Sequence, residues 1–313
     1  MKAFEFFFVA HSEQKKMDPE TAASNIIIGH EVADLARCFD VLLQNNCGDT
    51  TVLDKIFPFL GKDLLERNII DYSRDPGVDI TDSYFVLYEP FLRAKAALLV
   101  GTIIENCKEV PDVTKFVNPL IDLFTGEEEI EQCFALIGLT SIGQGKPELI
   151  LPHFPKLARP LILIIGAASS PAQSFSLYQS NVFKSQVFES FLDFMEIPGL
   201  LDTPENVQRL FESNITLAII QIALSEYVYI PKTPRTLWKM IWLFLRITTE
   251  HPQGIKMWDL DHIPKNGPQA CNLMRIALAS PEKAALVRNE VNKISSNNPS
   301  FETFTKLVKQ LSQ

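Results

Sequence analysis

The densest group of chemistry-bearing side chains in the sequence is Trp258-Asp259-Leu260-Asp261-His262. Two carboxylates and an imidazole this close could ligate a divalent metal or share a proton. The segment is short, lies between Pro252 and Pro264, and separates helix-patterned stretches. Aspartate is also a common turn former, so a turn carrying a packed Trp258 accounts for the same residues. An enzyme built on Asp259, Asp261 and His262 would need a further ligand brought in by the fold.

The remaining motifs point away from catalysis. The other histidines are His11, His30, His153 and His251, and none stands in H-E-x-x-H. His30 and Glu31 are neighbours in a helical pattern, where adjacent side chains diverge. Gly143-Gln144-Gly145-Lys146 lacks the leading glycine spacing of a phosphate loop and follows a helical stretch, not a strand. There is no G-x-S-x-G elbow. The expectation is a non-enzymatic chain with no catalytic residue, metal or cofactor.

Glu127, Glu128, Glu129 and Glu131 open a helical stretch after Gly126. The helix macrodipole favours carboxylates there by about 0.3–1 kcal/mol each, and docking of a basic partner is the alternative reading. Among the 22 phenylalanines, Phe188, Phe191 and Phe194 recur at three-residue steps. Trp238 and Trp242 stand four apart with Phe244 nearby. Such aromatics fill cores, or, where exposed, anchor a partner. Trp238 and Trp242 are the aromatic candidates for partner binding.

Bulk properties narrow the class. The 313 residues are 46% hydrophobic and 21% charged, which is enough apolar material for a continuous core. The net charge of −9 disfavours nucleic acid, whose binding depends on Lys and Arg neutralising phosphates. It disfavours anionic membrane surfaces equally, and leaves basic or neutral protein segments as partners. Cys38, Cys47, Cys107, Cys133 and Cys271 are odd in number and form no C-x-x-C, which reads as reduced thiols in a cytoplasmic or nuclear compartment. Leu161–Ala168, Ile215–Ala223 and Leu237–Ile247 are too short or too interrupted to span a bilayer, so no membrane span is expected. Phe4–Ala10 is apolar but broken by Glu5, unlike a signal sequence. Residues 1–17 read as an extension, either a short packed element or sequence foreign to the native chain, and 18–313 as a single domain.

The elements that must position these residues are helices. A capping residue followed by proline recurs at Asp18-Pro19, Ser170-Pro171, Thr203-Pro204, Thr233-Pro234, Ser280-Pro281 and Asn298-Pro299. The cap oxygen accepts an orphan backbone N–H, and proline at the first helical position loses only a donor that had no partner. Ser170 with Gln173, and Thr125 with Glu128, read as capping boxes. Residues 20–45, 90–106, 127–143, 181–196, 204–229, 234–250, 267–279, 281–295 and 299–312 carry helical apolar periodicity. Strand signals are scarce. Ser73–Ser83 is a polar, Gly- and Pro-containing loop.

One pattern repeats. Ala96-Ala97-Leu98-Leu99-Val100-Gly101 returns as Cys133-Phe134-Ala135-Leu136-Ile137-Gly138, 37 residues on. Pro119-Leu120-Ile121 returns as Pro160-Leu161-Ile162, 41 residues on, each reading as a helix start. Over about residues 90–166 this resembles armadillo/HEAT repeats, whose period is near 40 residues. The resemblance implies an all-α, right-handed α-solenoid: helix pairs that cannot bury their own apolar faces stack, and the stack presents a concave groove. It implies a protein-binding scaffold or adaptor whose groove residues fall near Thr102, Asn106 and Gln144. Thr102 and Leu139 stand where import receptors of this superfamily carry an Asn ladder, so that mode of peptide binding is not implied. Small armadillo proteins also act as nucleotide-exchange cofactors of Hsp70 chaperones, and the helix ending Gly101-Thr102-Ile103-Ile104-Glu105-Asn106-Cys107 is loosely similar to theirs.

Overall fold

A computed structural model describes residues 21–22, 97, 100–101, 113–169, 181–212, 215, 219, 233–250, 269–294 and 299–312. Among them every regular element is helical and there is no strand. The expected helices near 20–45 and 90–106 lie almost wholly outside these residues, as do the Ser73–Ser83 loop, the Ser170–Gln173 capping box and residues 1–17. The chain divides into two compact units, Met1–His153 and Phe154–Gln313.

The first unit contains α1 (Thr114–Phe124) and α2 (Glu129–Gly145), which pack on each other. Phe116, Leu120, Phe124, Leu136 and Leu139 are fully buried here. Each such side chain contributes about 1.5–3 kcal/mol by leaving water. The helical residues Ala97, Val100 and Gly101 are buried as well. A β-carbon on Gly101 would stand 3.3 Å from the Gly138 Cα, and one on Gly138 would stand 3.0 Å from the Ala97 carbonyl oxygen. Gly101 therefore faces Gly138, and Gly138 faces Ala97, where backbones come close, and Leu120 of α1 packs into the same crossing, its methyls 3.2 Å from the Gly138 β-position.

The second unit contains α3 (Phe154–Ser169), α4 (Asn181–Met195), α5 (Pro204–Glu212), α6 (Pro234–Glu250), α7 (Gln269–Leu278), α8 (Pro281–Asn292) and α9 (Phe301–Leu311). Its centre is α6, which packs against α4, α5, α7 and α8. Leu237, Ile241, Phe244 and Ile247 serve these contacts, and even Lys239 and Thr248 are buried. Helix α4 lies against both α3 and α6, which explains why Phe188, Phe191 and Phe194, not confined to one narrow stripe, are all fully buried. The rings of Phe188 and Phe191 stack with centroids 6.3 Å apart.

Helix starts follow the cap-and-proline rule at three sites. Thr233 Oγ1 accepts from the Thr236 N–H at 3.1 Å, and Ser280 Oγ from the Lys283 N–H at 3.1 Å. Thr203 precedes α5 with extended backbone, and its carbonyl takes the first helical bonds. Three expectations need correction. The cap of α9 is Ser300, whose Oγ accepts from the Thr303 N–H at 3.2 Å, so Pro299 lies ahead of the helix. Thr125 does not open α2: its hydroxyl turns back to donate to the Ile121 carbonyl at 2.9 Å, closing α1, and Glu128 is the residue that precedes α2. Pro119 and Pro160 are not helix starts but sit inside α1 and α3.

An internal proline removes one backbone bond and crowds the carbonyl four residues earlier. That carbonyl belongs to Lys115 in α1 and Lys156 in α3, both exposed. The interruption thus falls toward water in each helix. The likeness extends further. Residues 115–124 and 156–165, offset by 41, show the same sequence of exposed and buried positions, differing only at the 121/162 pair, where Ile121 is buried and Ile162 is half-buried. Leu163 on the outer face of α3 is 62% exposed.

By length and composition alone, the 20 residues Pro147–Gly166 are apolar enough to cross a membrane, a longer stretch than the apolar core Leu161–Ala168. The core helix of a soluble protein passes the same test. Here the stretch begins with two short 3-10 turns before α3, and exposes Lys156 and Arg159.

Candidate functional site

The second unit holds a cavity of about 240 Å³ beside Trp242. Three elements make it: the segment Met195–Asp202 that leaves α4, the middle of α6, and the C-terminal turns of α8. Its position starts with Gly199. That residue has φ 81°, in the left-handed region where a β-carbon is strained, so the chain can turn sharply after Pro198. The turn runs into the 3-10 element Leu200–Asp202, held by the Asn206 amide donating to the Leu200 carbonyl at 3.0 Å.

This geometry points the Leu201 carbonyl and the Asp202 carboxylate at α6. Arg246 donates to both, at 3.1 Å and 2.7 Å. On the neighbouring turns of α6 the ring of Trp242 stacks on Trp238, centroids 6.2 Å apart and planes 13° from parallel. Trp238 in turn donates its indole N–H to the Val291 carbonyl of α8 at 3.3 Å. Val291 lines the cavity too. The wall is therefore braced from behind: α8 holds Trp238, and Trp238 holds Trp242.

Charge at this site is matched within the protein. The Lys239 ammonium is buried and bridges Asp193 on α4 and Glu196 just beyond its end, and Glu196 also lines the cavity. Next to this bridge, burial pushes the Glu189 carboxyl above its ordinary range, and the nearby Asp193 carboxylate adds to the effect. Lys239 and Arg235 oppose it. Asp202 and Arg246 form the second ion pair. Among the described residues the cavity lining contains no Ser, Cys or His. What it offers is an aromatic face, flanking apolar side chains such as Ile197 and Leu245, and a rim of arginines and carboxylates. That is a surface for holding a group, with polar contacts to orient it.

The candidate residues from the sequence are distributed unevenly. Trp242 lies at the cavity and is half-buried, while Trp238 is only 7% exposed and works as its support within the core. Gln144 is exposed near the end of α2, in the first unit, and is not part of this cavity. Thr102, Asn106, Trp258, Asp259, Asp261 and His262 lie outside the described residues. Among the described residues no group of three or more His, Cys, Asp and Glu side chains could hold a metal ion. Cys133 is fully buried with a free thiol, and burial pushes that thiol far above its usual range.

Sequence reasoning missed Arg246, Gly199 and the α8 wall. The spacing of Trp238, Trp242 and Arg246, four residues each, was a usable signal, because such residues share a helix face. The left-handed turn after Pro198 had a weaker one in the Pro-Gly pair itself. Compared with protein-family profiles, with curated proteins and with solved structures, the chain matches none.

Proposed function

We propose that this chain is a protein-binding scaffold of the stacked-helix, armadillo/HEAT kind, and that Trp242 belongs to a contact surface for a protein partner. The observation that carries the reading is the repeat: α1 and α3 share an internal proline, an exposed lysine four residues before it and nearly one burial register, 41 residues apart. The facing of Gly101 and Gly138 supports it independently, since stacked repeats must bring equivalent helices close. Units of this kind seal one another's apolar flanks and leave a face of side chains free for recognition. The step from such an architecture to binding is an analogy between folds.

Trp242 suits a contact role because it is half-buried, rigidly backed by Trp238 and ringed by polar groups. Aromatic side chains held in place lose little entropy on binding and dominate many interfaces. The buried free thiol of Cys133 fits a reducing, intracellular setting. The test is affinity purification of the full chain from cells with mass spectrometry, run beside Trp242→Ala. A set of proteins retained by the native chain and lost from the variant supports the reading. The absence of any enriched protein, or identical sets, sinks it.

A further inference from the structure

We draw no further inference here: the strongest candidate, the cavity between the segment leaving α4, helix α6 and helix α8, belongs to the site already described, and with Arg246 and Glu196 engaged in ion pairs inside the protein nothing in the structure shows what chemical group would fill it.

Discussion

A β-carbon placed on Gly138 would meet the Ala97 carbonyl oxygen at 3.0 Å, while the Gly138 Cα itself lies 3.3 Å from where a Gly101 side chain would begin. Ser141 and Gly138 leave little room for a side chain at Gly101, and Ala97 and Leu120 leave little at Gly138. Replacing glycine by alanine inside a helix ordinarily gains close to 1 kcal/mol. At Gly138 the obstacle is backbone, and the Leu120 methyls also crowd the site, so over-packing of about 1–3 kcal/mol outweighs that gain. Gly138→Ala should lower the denaturation midpoint. At Gly101 the nearest atom is the Ser141 hydroxyl at 3.2 Å, which can rotate away, so Gly101→Ala should cost less. Equal effects, or a more stable Gly138→Ala, would show that the helices do not meet here.

Lys239 is buried while the side chains of its partners Asp193 and Glu196 are 45% and 24% exposed. Lys239→Met keeps the volume and removes the cation. Fully buried pairs cost about 3–5 kcal/mol to break, and the partial exposure of these carboxylates reduces that to about 1–3 kcal/mol. Thermal unfolding at neutral pH reads this out, and a variant as stable as the native chain would show that the bridge contributes nothing.

Glu189 carries the opposite sign. Its carboxyl titrates above the ordinary value of 4.5 because burial and Asp193 disfavour its charge. Its favourable contribution is therefore present below that value and is lost as pH rises through the folded-state pKa. Glu189→Gln should be more stable than the native chain at pH 7, with the difference closing as the pH falls through the raised folded-state pKa and gone below 4.5. A variant less stable at pH 7 would mean that Lys239 and Arg235 outweigh the burial.

Ser280→Ala and Ser300→Ala each remove a hydroxyl that accepts a first-turn N–H, of Lys283 and Thr303 respectively. Each should cost about 1 kcal/mol, and the glycine variants only a few tenths. Chemical denaturation checks both, and unchanged midpoints for the alanine variants would refute the caps.

Local chemistry was legible in the sequence, and tertiary chemistry was not. Thr233, Thr203 and Ser280 announce their helices because the signal, an oxygen and a proline, is complete within two residues. Thr125 misled because the same hydroxyl can close the helix behind it or open the one ahead, and spacing alone does not decide which. Pro119 and Pro160 misled because a proline inside a helix reads like one at its start unless it is known which face meets water. The close approach at Gly101 and Gly138 left a mark in the sequence because crowded backbones leave no room for a β-carbon. The cavity left almost none. Arg246 meets Asp202 from 44 residues away and Trp238 meets Val291 from 53, and no local pattern encodes either pairing.

Binding by the braced Trp242 face is the point on which the scaffold reading turns. With a co-purifying protein in hand, calorimetric titration should give a Kd at least about 30-fold weaker for Trp242→Ala, as expected of a side chain worth about 2 kcal/mol or more at an interface centre. The variant's helical circular dichroism and melting temperature should stay close to those of the native chain, since Trp242 is half-buried and the core partner Trp238 remains. Equal affinities for the two proteins, with the variant folded, would contradict the account.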